Sequence, residues 1–226
     1  YRNGTIYSSY TAASFPRLLA LAERRGLNLQ GILTWAFEFE DQAPFAGFRQ
    51  LTSNGIDLPV MNMFKMFAKM TGRYVPAVSD RQLALDTVMR DGVRGTADVG
   101  SIASLDGNAL AVLVWHYHDD DVAGPDAAVQ LQLRRLPRAF AKGAVLTHYR
   151  IDASHSNSFA AWRAMGSPLA PTDAQRAALL AAAKLATMDA QPTQVATRGA
   201  GASLTFALPR QGVSLIVVTP ASKAGA

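Results

Sequence analysis

Apolar side chains at helical spacing mark the first element of the chain, residues 12–25. They recur at intervals of three and four residues, at Phe15, Leu18, Leu19 and Ala22. Gly26 follows and is a typical stop signal for a helix. Because proline is tolerated only in the first helical turn, Pro16 makes Ser14 the expected N-cap.

A nearly continuous apolar run, LQGILTWAF, follows at residues 29–37. A run without polar alternation predicts a strand buried on both faces, as in parallel sheets. Residues 38–58 are rich in turn-forming residues and predict a loop, and Pro59 then begins a second helix over residues 60–70. Helix, buried strand, loop and helix in this order predict the last segment of a (β/α)8 barrel.

Short alternating stretches separated by turn residues replace this pattern from about Thr71 onward. They predict strands at 83–89, 95–103, 109–118, 128–136, 144–152, 194–197, 203–208 and 213–219. Asp106-Gly107-Asn108 predicts a hairpin turn between two of these strands. Residues 172–188 predict a helical insertion with Thr172 as its N-cap.

The two hydrophobic patterns meet at about residue 72 and divide the chain there. We expect a C-terminal segment of a (β/α)8 TIM barrel at 1–72 and an antiparallel β-sandwich domain with a helical insertion at 73–226, which is an α/β plus all-β fold class. The first residues, Tyr1-Arg2-Asn3-Gly4, have no initiator Met and no signal-peptide pattern. They are typical of the middle of a loop, so we expect a fragment of a longer protein.

The composition narrows the classes of function. Of 226 residues, 49% are apolar and 17% charged, which predicts a folded, soluble protein. No apolar run approaches the roughly 18–20 residues that span a bilayer, so no membrane partner is expected. The net charge is +5, but the arginines form no basic stripe, so no nucleic-acid partner is expected either.

The counts of single residue types add two indications. Arg outnumbers Lys by 17 to 5 and Ala is frequent, which suggests a bacterial coding sequence of high GC content. The absence of cysteine excludes disulfides and thiolate sites. It leaves the compartment undecided, with the cytoplasm slightly favoured over the periplasm or secretion.

The strongest functional signal is the aromatic and acidic stretch TWAFEFEDQ at residues 34–42. In a strand, Trp35 and Phe37 would face one way and Glu38 and Glu40 the other. An indole can stack on the apolar face of a pyranose while carboxylates accept hydrogen bonds from vicinal hydroxyls, so we expect a sugar site. The alternative is a surface strand end with two solvated acids.

The geometry of a strand argues against Glu38 and Glu40 as the catalytic pair of a glycosidase. A retaining pair lies about 5–5.5 Å apart and approaches one glycosidic bond from different directions. Carboxylates two residues apart on one strand project in parallel, from Cα atoms about 6.5–7 Å apart. We therefore expect specificity residues rather than catalytic ones.

Several segments carry a resemblance to a known family. YRNGTIYSSYTAASF, GILTWAFEFEDQ and SNGIDLPVMNMFKMF resemble the C-terminal part of the glycoside hydrolase family 39 β-xylosidases, and WHYHDDD and IDASHSNSFAAWRAMGSP are similar to that family's accessory sandwich. The resemblance implies a (β/α)8 catalytic barrel followed by a β-sandwich, and retaining cleavage of β-1,4-linked xylose from non-reducing ends. It implies no metal or organic cofactor. The implied partners are a xylo-oligosaccharide or aryl β-xyloside substrate and the upstream part of the same enzyme.

The resemblance also assigns roles to residues. Family enzymes use two glutamates at the ends of barrel strands 4 and 7, and this sequence shows neither an Asn-Glu motif nor a nucleophile strand. The catalytic residues are therefore expected upstream, with none in this chain. Trp35 matches the barrel-floor tryptophan, and Glu38 and Glu40, next to Phe37, match the acidic loop that binds xylose hydroxyls. Which of Glu38, Glu40 and Asp41 contacts the sugar is left open.

A metal site is conceivable at His116 and His118, which share one strand face and precede Asp119, Asp120 and Asp121. A strand running into an acidic turn explains the same residues. We favour the turn because no third well-spaced ligand is apparent, and no metal is expected.

The segment around His155 and Trp162 has two interpretations. It could line the aglycone side of the active site. Alternatively, Ser156 or Ser158 caps a helix and Trp162 is buried at the domain interface, which is the interpretation we favour. A Ser-His-Asp triad that includes His148 or His155 stays open, although no nucleophile elbow supports it.

A second class of function is a non-catalytic carbohydrate-binding or structural β-sandwich module. Sugar binding by a sandwich face needs a row of exposed aromatic side chains. The sequence offers few candidates for such a row, namely Trp115, Tyr117 and Tyr149. A structural role for the sandwich is therefore favoured over sugar binding by it.

Overall fold

The computed structural model describes residues 3–34, 36–197 and 200–221. The helices are α1 (Thr5–Arg24), α2 (Pro59–Phe67), α3 (Leu85–Asp91), α4 (Ser158–Ala164) and α5 (Asp173–Ala182), with a 3-10 turn at Arg138–Lys142. The strands are β1 (Thr52–Ser53), β2 (Ile56–Asp57), β3 (Arg73–Val75), β4 (Asp98–Asp106), β5 (Ala109–Tyr117), β6 (Ala127–Leu133), β7 (Ala144–Ile151), β8 (Ala186–Thr187), β9 (Thr193–Val195), β10 (Ala202–Leu208) and β11 (Val213–Pro220). No helix within these ranges is long and apolar enough to cross a membrane.

An antiparallel sheet of seven strands forms the centre of the molecule. Its order is β3-β4-β5-β11-β7-β8, and β9 also pairs with β7. Side chains alternate across the two central strands, so each face has its own core. Leu113 opposite Leu215 belongs to the core beneath α1 and α2, whereas Val112 opposite Ile216 belongs to the core beneath the two-stranded ribbon of β6 and β10.

Helix α1 is longer than predicted, and Ser14 is not its N-cap. It begins at Thr5, so Pro16 lies inside it. The first half was missed because, apart from Ile6, its buried residues are small or polar. Ser9 shows how such a residue is accommodated, since its hydroxyl lies 2.7 Å from the side-chain oxygen of Gln211 and 3.1 Å from the carbonyl of Ile6. Gly26 ends the helix with a φ of 64°, as predicted.

The predicted buried strand at 29–37 is wrong for the part of this segment that the structure describes. Residues 29–34, 36 and 37 form no strand, and Leu33 is 97% exposed. A strand of a parallel sheet exists through hydrogen bonds to neighbours on both sides. Within the described ranges no strand pairs with this segment.

Most of the later elements match their predictions. Asp106 pairs with Ala109 across the predicted hairpin turn, and Thr172 caps α5. Helix α5 ends at Ala182, earlier than predicted, because Ala186–Thr187 pairs with β7 as strand β8. The predicted strand at 83–89 is wrong, since α3 occupies Leu85–Asp91.

The core crosses the predicted boundary at residue 72. Met63 and Met66 of α2 belong to the same buried cluster as Trp115 of β5 and Leu215 of β11. The chain is therefore a sheet-rich α/β structure in which early helices and later strands share a core. Its division into a barrel segment at 1–72 and a sandwich domain at 73–226 stays a prediction.

Candidate functional site

A short hairpin supports the acidic loop, the name used here for residues 37–42. Strands β1 and β2 pair Thr52 with Asp57 and Ser53 with Ile56. Asn54 and Gly55 form the two-residue turn with φ values of 50° and 72°. Asn-Gly favours such a turn because both central residues need positive φ. This hairpin places its backbone amides next to the acidic loop.

The first two residues of the acidic loop are bound to the hairpin. The carbonyl of Phe37 accepts from the amides of Leu51 at 2.9 Å and Thr52 at 3.0 Å. Both carboxylate oxygens of Glu38 lie 3.1 Å from the amide nitrogen of Gly55, and the hydroxyl of Thr52 donates to one of them. Glu38 is half-buried, and these hydrogen bonds from Gly55 and Thr52 satisfy its carboxylate from within the chain.

The last three residues of the acidic loop, 40–42, are exposed to solvent. Glu40 and Asp41 are exposed, and neither side chain has a hydrogen-bond or ion-pair partner among the residues described. Phe37 is 61% exposed. Trp35 lies outside the described residues. The strand geometry that would have put Glu38 and Glu40 on one face is absent, and the two carboxylates are in different surroundings.

Gln50 fills the space beneath the acidic loop and was not predicted as a site residue. Its side chain is 1% exposed, and its amide oxygen accepts from the amide of Phe39 at 3.4 Å. A Cβ added to Gly47 would lie 2.1 Å from that oxygen, so a larger residue there would displace the end of the Gln50 side chain. The sequence shows a glycine at position 47, but it gives no indication that this glycine packs against the side chain of Gln50.

Helices α4 and α5 support the other side of the hairpin. The guanidinium of Arg176 on α5 donates to the carbonyl of Asn54 at 3.1 Å, and the hydroxyl of Ser158 on α4 donates to the carbonyl of Asp57 at 2.6 Å. Phe45, just after the acidic loop, lies 4.9 Å from Trp162 of α4 between ring centroids. The loop, the hairpin and the two helices therefore form one packed unit.

Trp162 packs within this unit. Its indole stacks on Phe159 at 5.8 Å, and its N–H donates to the carbonyl of Pro168 at 3.0 Å. The N-cap of α4 is Asn157, whose side chain accepts from Ala160, rather than Ser156 or Ser158 as expected. These contacts leave Trp162 half-buried, and its burial at a domain interface stays a prediction.

His155 belongs to a compact ionic group in the turn after β7. Its Nδ1 lies 2.8 Å from Asp152, which also accepts from the amide of Ser154 and contacts Arg150 at 3.3 Å. Burial alone raises the pKa of Asp152, but the hydrogen bonds from His155 and Ser154, together with the nearby charges of His155 and Arg150, hold that pKa below its ordinary value. The hydrogen bonds and ion pairs of this group therefore join residues of the same turn and the end of β7.

His148 does not extend this group into a triad. Its Nε2 lies 2.9 Å from the hydroxyl of Ser214, and both residues are buried in the sheet. Burial first, and the nearby charge of Arg150 second, lower the pKa of His148 to about 4. In the described part of the chain the His148–Ser214 and His155–Asp152 pairs are separate, so no Ser-His-Asp arrangement is formed.

The two histidines of the conceivable metal site are buried and bonded to the backbone. Nδ1 of His116 lies 2.9 Å from the carbonyl of Leu208, and Nε2 of His118 lies 3.0 Å from the carbonyl of Arg94. Burial lowers the pKa of His116. Across the described ranges, no group of three or more acidic or histidine side chains could hold a metal ion.

Comparison with known proteins places this site in a family context. The family model described as glycosyl hydrolases family 39 matches residues 7–200. The search of curated proteins found no match.

Three solved structures share the fold. They are the family 39 enzyme from Xanthomonas axonopodis pv. citri (TM-score 0.74, 20% identity, covering 97% of this chain and 42% of that one), a monomeric β-xylosidase from Caulobacter crescentus CB15 (0.69, 19%, 98% and 42%) and the bacterial orthologue of human α-L-iduronidase (0.72, 17%, 99% and 39%). The chain spans about two fifths of the length of these proteins.

Proposed function

This chain belongs to glycosyl hydrolase family 39, and we propose that it is the C-terminal part of a retaining β-D-xylosidase. The enzyme hydrolyses β-1,4-xylosidic bonds from the non-reducing ends of xylo-oligosaccharides. This chain supplies substrate-binding residues on the acidic loop, and the catalytic glutamates lie upstream. One of the structures that share its fold is a β-xylosidase, the monomeric enzyme from Caulobacter crescentus CB15, which supports the substrate class.

Two unpaired carboxylates carry this proposal. Glu40 and Asp41 are exposed, lack partners in the described part of the chain and lie close in sequence to the exposed ring of Phe37. Free carboxylates accept hydrogen bonds from neutral sugar hydroxyls. They repel a uronic acid, whose own carboxylate would approach like charges. The loop therefore suits a xyloside better than an iduronide.

An exposed apolar strip supports the proposed position next to a barrel. Leu27, Leu29 and Leu33 are exposed along the segment that precedes the acidic loop. Large contiguous apolar surfaces are normally covered by another part of the protein. We propose that the upstream part of the barrel covers these leucines, which would place Trp35 and the acidic loop at the mouth of the barrel.

The non-catalytic alternative has less support from the positions of the aromatic side chains. Trp115 and Tyr117 are buried in the core. Tyr149 is half-buried, and the ammonium of Lys69 lies 5.0 Å from the centre of its ring. These three residues therefore do not form the exposed row that sugar binding by a sheet face requires.

Kinetics on an aryl β-D-xyloside test the proposal. The full-length enzyme should hydrolyse this substrate, whereas the 226-residue chain alone should not. Hydrolysis by the chain alone would contradict the upstream location of the catalytic glutamates. A full-length enzyme inactive on every β-xyloside would contradict the xylosidase assignment.

A further inference from the structure

We infer, resting on the proposed function, that Glu38 is a positioning residue of the acidic loop and that Glu40 and Asp41 are its sugar contacts. The sequence treats Glu38 and Glu40 as equivalent, since both are glutamates beside aromatic residues. The structure distinguishes them by their hydrogen-bond partners. Their roles should therefore differ in a way that substrate chemistry can measure.

The Glu38 carboxylate already has internal donors for both oxygens. The Gly55 amide lies 3.1 Å from each oxygen, and the Thr52 hydroxyl donates to one of them. Hydrogen bonds to a charged acceptor are among the stronger ones in proteins. A sugar hydroxyl would have to compete with these donors, whereas at Glu40 no described residue competes.

The donors of Glu38 are themselves fixed. Thr52 is buried in the hairpin, and Gly55 has a φ of 72° that other residues rarely adopt. On its outer side the turn is bonded through the carbonyl of Asn54 to Arg176 of α5. Glu38 therefore connects the acidic loop to a turn that α5 supports.

This arrangement predicts how the acidic loop keeps its shape. The Phe37 carbonyl and the Glu38 side chain bind the hairpin at consecutive positions, just before the exposed carboxylates. Without the Glu38 bond, the loop would be held at one position fewer, and Glu40 and Asp41 would spread over more conformations. A 1 Å misplacement of binding groups is enough to slow catalysis substantially.

Deoxy substrates separate positioning from contact. In the full-length enzyme, Glu38→Gln should lower kcat/KM about tenfold, because it removes the charge from these hydrogen bonds and sets an amide donor against the donors of Thr52 and Gly55. The loss should be the same on the parent aryl β-D-xyloside and on its 2-, 3- and 4-deoxy analogues, because no single hydroxyl is involved. For Glu40→Gln or Asp41→Asn, the loss should largely disappear on the analogue that lacks the contacted hydroxyl.

Two kinetic outcomes would overturn these assignments. If the Glu38→Gln loss disappears on one deoxy analogue, Glu38 contacts that hydroxyl. If the losses in Glu40→Gln and Asp41→Asn are the same on all analogues, those carboxylates are not the sugar contacts. Glu23→Gln, at an exposed glutamate of α1, is the matched control for removing a charge.

A thermal-unfolding cycle tests the internal bond without requiring activity. Because Glu38 and Thr52 share a hydrogen bond, Glu38→Gln combined with Thr52→Val should lower the melting temperature less than the sum of the single changes. Thr52→Ser keeps the hydroxyl, so Glu38→Gln should lower the melting temperature by the same amount in the Thr52→Ser variant as in the wild type. Additive effects would overturn the positioning role, whereas inactivity of the wild-type enzyme on xylosides would overturn only the proposed function.

Discussion

The guanidinium of Arg17 lies 2.8 Å from the carboxylate of Asp98 and joins helix α1 to strand β4. Asp98 is fully buried, and it also accepts from the amide of Leu83 at 2.7 Å and from the indole N–H of Trp115 at 2.5 Å. This pair lies across the predicted domain boundary and holds the first helix on the sheet.

Removing one partner of this buried pair should destabilise the protein strongly. Asp98→Ala leaves the Arg17 guanidinium without its counter-charge, at a cost of about 3–5 kcal/mol in the free energy of unfolding. Urea unfolding of the protein measures this change. The exposed Arg24–Asp86 pair is the control, since Asp86→Ala should change the free energy by less than about 1 kcal/mol. Equal effects at the two sites would show that the buried pair is not the joint between α1 and the sheet.

The stability of the fold should fall in mild acid because of a buried histidine. Burial lowers the pKa of His148 to about 4 from its ordinary value of 6.5. The unfolded chain therefore binds the proton more tightly than the folded one. The contribution of neutral His148 to the free energy of unfolding is complete above about pH 6.5. It decreases as the pH falls towards 4, by up to about 1.4 kcal/mol per pH unit.

The variant His148→Gln isolates this effect. His116, whose pKa is also lowered by burial, should continue to weaken the protein in acid. The free energy of unfolding of the variant should therefore still fall between pH 6.5 and 4, but by less than in the wild type, because the contribution of one histidine is gone. Unfolding free energies measured across this interval report the slope. An unchanged slope would mean that His148 is protonated as readily in the folded protein as in the unfolded chain.

Trp162 should contribute to stability rather than to aglycone selection. Trp162→Ala removes contacts with Phe45 and Phe159 and should cost about 2–3 kcal/mol, below the range for fully buried tryptophans because the side chain is half-buried. Trp162→Phe keeps part of the stacking and should cost less. The ratio of kcat/KM between large and small aryl aglycones should stay as in wild type. A changed ratio in Trp162→Phe would place this residue next to the leaving group.

Much of the fold could be predicted because local signals agree with the tertiary structure. The Asp106–Ala109 hairpin, the Thr172 cap and the Gly26 stop are each specified by a few adjacent residues. The start of α1 could not be predicted, since its buried side chains other than Ile6 are small or polar and some of their partners lie far away in sequence. Ser9, for example, donates to Gln211.

Only part of the candidate site could be predicted from the sequence. The acidic and aromatic composition of residues 37–42 indicated a sugar site, and Asn54-Gly55 indicated a turn. No local pattern indicates that the turn amide binds Glu38, because that bond joins residues 17 positions apart. The different surroundings of Glu38 and Glu40 depend on this long-range pairing.

Trp35 should be the most sensitive substrate-binding position in this chain. By its match to the barrel-floor tryptophan, we expect Trp35→Ala to lower kcat/KM on an aryl β-D-xyloside about 100-fold, since about 2.7 kcal/mol of transition-state stabilisation is lost. Trp35→Phe keeps an aromatic surface and should lose less. Unchanged kinetics in Trp35→Ala would remove the tryptophan from the sugar site.

The most direct test of the account is the specificity of the full-length enzyme for neutral over acidic sugars. We predict that kcat/KM is at least about 100-fold higher for 4-nitrophenyl β-D-xyloside than for 4-methylumbelliferyl α-L-iduronide, because the exposed negative charges of Glu40 and Asp41 disfavour a uronic acid. Faster hydrolysis of the iduronide would contradict the assignment of this chain to a β-xylosidase.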